Sequence, residues 1–147
     1  MSNYRRLRIQ GGTYFFTVTL ADRRSELLTQ QIDIFRSAWA ATHCELPFYV
    51  EAAVILPDHL HTIWTLPDGD ADFSERWRRL KGRFSRSFPA DERRSWSKRN
   101  KGEMGLWQRR FWEHAIRDEE ELAQCKRYCW YNPVKHGLVD APVNWQY

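Results

Sequence analysis

Seven blocks of patterned hydrophobicity succeed one another along the sequence, and their periods switch between those of strand and helix. Residues 4–8 are basic and read as an arm. Gly11-Gly12 then turns the chain into Thr-Tyr-Phe-Phe-Thr-Val-Thr-Leu over 13–20. Aromatic and β-branched residues at that density suit a pleated, half-buried surface, so the run predicts a strand. After a polar loop, Ile32, Ile34, Phe35, Ala38 and Trp39 recur at helical spacing and predict an amphipathic helix over 29–43. Residues 48–56 are almost continuously apolar, the pattern of a buried strand. Pro57-Asp58 supplies turn chemistry, and 59–66 return as the second arm of a hairpin. A further turn at Pro67-Asp68-Gly69-Asp70 leads to a helix over 72–88. Phe73, Trp77, Leu80 and Phe84 form one stripe of it and arginines the other. The aperiodic basic stretch 89–105 predicts a mobile surface loop. Strand character returns over 106–116, strongest from Phe111. Asp118 is placed to cap a last helix with Glu121 as reciprocal partner, and Pro133 predicts that this helix stops at Asn132. Gly137 and Pro142 punctuate the tail to Tyr147.

The order β-α-β-β-α-β with one more helix is that of a ferredoxin-like split βαβ α+β fold. It predicts an antiparallel sheet with two helices on one face and an additional C-terminal helix. The first and third strands are central in that topology, and the added helix is expected on the other face. At 147 residues the chain makes one domain, long enough to bury a core.

Composition changes this picture in one respect. A 42% hydrophobic content with eight tryptophans argues for a folded chain. The net charge of +4 points weakly to a polyanionic partner. Its distribution points further: residues 76–101 hold eleven Lys/Arg against two acids, Asp91 and Glu92. With the arm, this marks Arg5, Arg6, Arg8, Arg78, Arg79, Lys81, Arg83, Arg86, Arg109 and Arg110 as candidate phosphate contacts. A solvated helix face is the plainer reading of the same charges. No apolar run approaches the roughly 20 residues of a membrane helix. The basic N-terminus has no apolar core after it, so no signal peptide is read. Three cysteines are a sparse set that fits a reducing cytoplasm, the expected location.

The candidate chemistry lies in two short stretches. His59 and His61 are i, i+2 on a predicted strand and share a face. Such a pair is also found simply hydrogen-bonded at sheet surfaces, and imidazole does not select the metal. Tyr128 and Asn132 are i, i+4 on a predicted helix, so a phenol and a hard oxygen donor stack over one another. Two imidazoles, an amide and a phenol meeting at one point suggest a metal-assisted nucleophilic site. Tyr131 is the competing phenol. At about 100° per residue it points about 100° away from Asn132, whereas Tyr128 lies about 40° from it. Tyr128 is therefore the expected nucleophile. Cys125 and Cys129 match no common zinc spacing and read as packing.

The stretches Gly-Gly-Thr-Tyr-Phe-Phe-Thr-Val-Thr-Leu, Leu-Pro-Asp-His-Leu-His, Trp-Gln-Arg-Arg-Phe-Trp-Glu-His-Ala-Ile-Arg-Asp-Glu and Tyr-Cys-Trp-Tyr-Asn-Pro-Val-Lys-His-Gly-Leu-Val resemble the REP-associated tyrosine transposases. These are domesticated relatives of the single-tyrosine, His-hydrophobic-His (HUH) transposases, and the likeness covers nearly the whole chain in order. It implies a site-specific single-strand DNA endonuclease and strand transferase that acts on repetitive extragenic palindromes. It implies Mg²⁺ or Mn²⁺ on His59, His61 and Asn132, with Tyr128 attacking the phosphodiester to leave a 5′-phosphotyrosine and a free 3′-hydroxyl. The implied partner is single-stranded or hairpin DNA, with monomer and homodimer equally open. Members usually continue past the final Trp-x-Tyr segment with a Ser-Ser-Phe-His-type tail, whereas this sequence ends at Tyr147. Two other classes stay open: a noncatalytic nucleic-acid-binding module, with Phe15 as an exposed strand aromatic, and a zinc-stabilised interaction protein built on the cysteines.

Overall fold

The computed structural model describes residues 6–89 and 105–147. Its strands are β1 (Thr13–Thr19), β2 (Tyr49–Ile55), β3 (His59–Thr65) and β4 (Trp112–Ala115). Its helices are α1 (Leu27–Gln30), α2 (Ile32–Glu45), α3 (Phe73–Arg86) and α4 (Glu119–Lys135), with a 3-10 turn at Pro142–Asn144. All strand pairs are antiparallel and the order is β2-β3-β1-β4, as the ferredoxin-like reading requires.

Alternation along the two central strands sends side chains to opposite faces. Tyr14, Phe16 and Val18 of β1, with Leu60 and Trp64 of β3, face α2 and α3. The four apolar stripe residues of α3 (Phe73, Trp77, Leu80 and Phe84) are all fully buried against them. Trp64 is stacked between Phe48 at 4.0 Å and Trp77 at 4.3 Å between centroids. On the other face Phe15, Ala52, Val54 and Ile63 pack with Cys129, Leu122 and Trp145, so α4 and the tail form the third layer. The Trp145 indole N–H donates to the Ile55 carbonyl at 2.9 Å, tying the tail to β2.

Several expectations are corrected. The apolar run at 48–56 is not a strand buried on both sides. β2 is a sheet edge, with Tyr49 66% exposed and a register shift between Val50 and Ala52. The strand expected over 106–116 reduces to β4 and a single bridge between Leu20 and Trp107. Residues 90–104, most of the expected loop, and Arg5 lie outside the described residues.

α4 also does not stop at Asn132; it runs through Pro133 to Lys135. Proline forfeits only one backbone bond, and so close to the helix end the next turn closes normally. Gly137, at φ +70°, then ends the helix in a Schellman motif. Leu138 N–H donates to Pro133 O and Gly137 N–H to Val134 O, both at 2.9 Å. At the other end Asp118 accepts from Glu121 N–H at 2.8 Å as expected. The Glu121 carboxylate, however, accepts from Arg117 N–H and pairs with His114 rather than closing the reciprocal bond.

The arginine stripe of α3 is not uniformly solvated. Arg76 is buried, donating to the Leu46, Pro47 and Asp72 carbonyls and to both oxygens of Asp70. It thereby ties the α2–β2 connection to the start of α3. Removing Arg76 leaves the carbonyls it bonds without their donor, while the one-third-exposed Asp70 carboxylate is left to water. Arg76→Met is expected to lower the unfolding free energy in urea by about 3–5 kcal/mol. Arg78→Met, which loses one exposed pair with Glu75, should leave the midpoint nearly unchanged.

Candidate active site

The site is assembled on the sheet face that α4 covers. His59 and His61 project from the central strand β3, and both are buried. Their rings lie 5.0 Å apart between centroids, in an edge arrangement. Each imidazole is held through Nδ1: Asp58 Oδ1 lies 2.7 Å from His59 Nδ1, and Thr17 Oγ1 lies 2.8 Å from His61 Nδ1. Asp58 is itself fixed by Arg23 at 2.6 Å. Holding Nδ1 orients the ring and leaves Nε2 available as a ligand atom, an arrangement found in metal-binding histidines. Burial, opposed by Asp58, lowers the pKa of His59. Burial, with the charges of His59, His136 and Lys135, pushes His61 down to about 3. Both rings are thus neutral at pH 7, the form that ligates metals.

α4 brings the other two groups. The Tyr128 ring meets His61 at 5.2 Å and Phe15 at 5.7 Å, both edge-on, and its side chain is 42% exposed. Lys135 Nζ lies 5.2 Å from the centre of the same ring. Asn132, one turn beyond Tyr128, is 1% exposed and lies against His61. Its side chain approaches His61 closely enough to oppose in part the lowering of that imidazole's pKa, yet neither amide atom meets hydrogen-bond geometry. A buried, unsatisfied amide costs stability unless something else uses it. Among the described residues no three His, Cys, Asp or Glu side chains converge to hold a metal. The Asn132 amide is a third polar group that could join the two imidazoles in holding one.

The structure therefore brings together His59, His61, Asn132 and Tyr128. Tyr131 points elsewhere, into a groove with Ala53, Val54 and Trp145. The candidate phosphate contacts are scattered by comparison. Arg78, Arg79 and Arg83 lie on α3, in the layer on the opposite side of the sheet, and pair with Glu75 or Glu45. Lys81 donates to the Gln108 carbonyl at 3.1 Å, and Arg86 and Arg110 are exposed. Arg109 is exposed and also has a partner. Arg6 pairs with Glu113, and Arg8 lies 3.6 Å from Asp72. The cysteines do not form a cluster: Cys44 is exposed, and burial raises the Cys125 thiol and pushes Cys129 up to about 12.

Sequence reasoning missed the supports. Asp58 read as a turn residue and Thr17 as one of several strand threonines. His136, whose ring lies 5.2 Å from His59, was not singled out either. Its i+4 offset from Asn132 was the available signal.

No protein-family model matches the chain. The REP-associated tyrosine transposase of Escherichia coli K12 is 45% identical over 147 residues, covering 100% of this chain and 81% of that protein. The chain belongs to the REP-associated tyrosine transposase family. A Haemophilus influenzae relative bearing the same family name is 47% identical over 148 residues, with 100% of this chain and 84% of the relative covered. A solved REP-associated tyrosine transposase bound to a REP hairpin matches at a TM-score of 0.85 and 45% identity, over 100% of this chain and 81% of that one. The chain is, like these relatives, a tyrosine transposase. No helix among its described residues is long and apolar enough to cross a membrane.

The unsatisfied amide generates a test in the metal-free protein. Asn132→Leu keeps the branching and the number of heavy atoms and removes the buried polar atoms. It is expected to raise the unfolding free energy by about 1–2 kcal/mol. A loss of stability in urea titration would mean that the amide already has a partner.

Proposed function

We propose that this chain is a metal-dependent single-strand DNA endonuclease and strand transferase acting at REP-type hairpins, with Tyr128 as its nucleophile. The observation that supports this most is the Tyr128 ring resting on His61, with the orphaned Asn132 amide one helical turn along. His59 Nε2, His61 Nε2 and the Asn132 amide oxygen would hold Mg²⁺ or Mn²⁺, and their mix of imidazole and hard oxygen suits such an ion. When bound, the cation supplies charge neutralisation and polarisation at the scissile phosphate.

The rest of the reaction belongs to the chain's own groups. Tyr128 Oη attacks the phosphorus in line, forming a tyrosine–phosphate ester as the bond from phosphorus to the 3′-oxygen breaks. The phenol gives up one proton and the departing 3′-oxygen takes one, so the exchange is balanced. One diester replaces another, and a 3′-hydroxyl can therefore reverse the step and join strands. Burial and the two Nδ1 anchors fix the imidazoles, while the exposed flank of Tyr128 leaves room for a strand to approach. Lys135, beside the ring, offers a positive charge to the same phosphate. The noncatalytic module loses its platform in this reading, because Phe15 is only 6% exposed beneath α4.

With labelled hairpin-bearing single-stranded DNA and Mn²⁺, a covalent adduct is expected on a denaturing gel. Tyr128→Phe should remove it and Tyr131→Phe should retain it, with the modified peptide mapped by mass spectrometry. Adduct formation by Tyr128→Phe, or full activity of His61→Ala in EDTA, contradicts the proposal. Thr17→Val and Asp58→Ala should weaken Mn²⁺ binding by about 10–100-fold, read by titration calorimetry, because they free the imidazoles to turn. DNA affinity should fall steeply as salt rises, and each basic residue that touches phosphate should lower the salt slope by about 1 when replaced by alanine.

A further inference from the structure

Beside Tyr128 the space between β4 and α4 opens into a groove of about 470 Å³ that the chemistry described above does not use. One wall is an aromatic platform. The Trp112 and His114 rings, i and i+2 on β4, lie parallel within 8° at 5.9 Å. His114 is held by Glu121, which also accepts from Arg117 N–H at 3.1 Å, so the first turn of α4 fixes the platform. Phe15 forms the floor, meeting Trp112 edge-on at 5.7 Å and Tyr128 edge-on at 5.7 Å. Gln124 of α4 lines the opposite wall and brings an amide with both donors and acceptors. Trp112 is 55% exposed on an edge strand. A single exposed aromatic needs no explanation. This one lines a groove whose far wall is the nucleophile.

We propose that this groove is a nucleobase subsite, taking one unpaired base of a nucleotide that flanks the scissile phosphate. The inference rests on Tyr128 as the attacking residue. When the phosphorus lies against the phenol oxygen, the bases on either side are one sugar away, and one of them reaches the platform. An unpaired base offers a π-face to the indole whatever its identity, the usual means of holding single strands. The Gln124 amide is placed to read the hydrogen-bonding edge of that base, as pockets for extruded bases do. Stacking beside the nucleophile would hold the phosphate in register with Tyr128 and favour a strand that is unpaired there.

The test uses a synthetic strand with a REP-type hairpin and a single-stranded flank, on which wild-type protein first maps the cleaved phosphate. Abasic sites are then placed in turn at the two nucleotides flanking it. Trp112→Ala should raise the DNA concentration that half-saturates adduct formation by about tenfold to a hundredfold. One of the two abasic strands should show the same loss with wild-type protein and no additional loss with Trp112→Ala. 2-Aminopurine at that position should be quenched by wild-type protein and much less by Trp112→Ala. Gln124→Ala should change the preference among the four bases there and at no other position. Circular dichroism and thermal unfolding of both variants confirm that they are folded. Unchanged half-saturation by Trp112→Ala, or losses that simply multiply with both abasic sites, overturns the subsite while leaving Tyr128 chemistry intact. Absence of any wild-type adduct overturns the Tyr128 reading and the subsite with it.

Discussion

β1 and β3 pair antiparallel along their whole length at the centre of the sheet. Their register sets Thr17 opposite His61 and Thr19 opposite His59. Because side chains alternate along a strand, one register decides both faces at once. It sends Leu60 and Trp64 into the layer with α2 and α3, and it sends both histidines toward α4. A slip of one residue would put two imidazoles into the aromatic core and turn the Trp64 indole toward α4. The register also delivers the Thr17 hydroxyl to His61 Nδ1, so the pairing that builds the sheet orients a functional ring as well.

The two faces of the sheet are stabilised unequally. The face toward α2 and α3 has the large interlocking aromatics: Trp64 and Trp77 stacked on each other, with Phe16, Phe73 and Phe84 all fully buried. The face toward α4 has a smaller apolar cluster and a group of polar residues beside it, among them the unsatisfied Asn132. A functional site is held most firmly when its side chains project from rigid, well-packed elements. The aromatic layer stabilises the fold, and the α4 layer can then tolerate buried imidazoles and an orphaned amide.

Much of this was legible in the sequence because it depends on local period. The alternating run of β1, the apolar stripe of α3 and the i, i+4 spacing of Tyr128 and Asn132 fixed element type, buried face and the direction of the phenol. What escaped depends on contacts distant in the chain. Arg76 looked like its solvated neighbours, and its bonds to Asp70 and to the carbonyls of residues 46, 47 and 72 make it a buried tie. β2 looked buried because its exposed edge is set by strand order, not by composition. Pro133 looked like a stop because the local rule ignores how few backbone bonds remain beyond it, and Gly137 closes the helix instead. Asp58 and Thr17 were invisible as imidazole anchors, since one is adjacent in sequence but read as a turn and the other is 44 residues away.

In the proposed reaction His59, His61 and Asn132 form one cation site against Tyr128. Crystals soaked in Mn²⁺ and measured at the manganese absorption edge would show whether that site exists. One strong anomalous peak is expected, bounded by His59 Nε2, His61 Nε2 and Asn132 Oδ1, and it should be lost in Asn132→Leu. A peak reached through either Nδ1 atom, or one that persists at full height without the Asn132 amide, would contradict that arrangement.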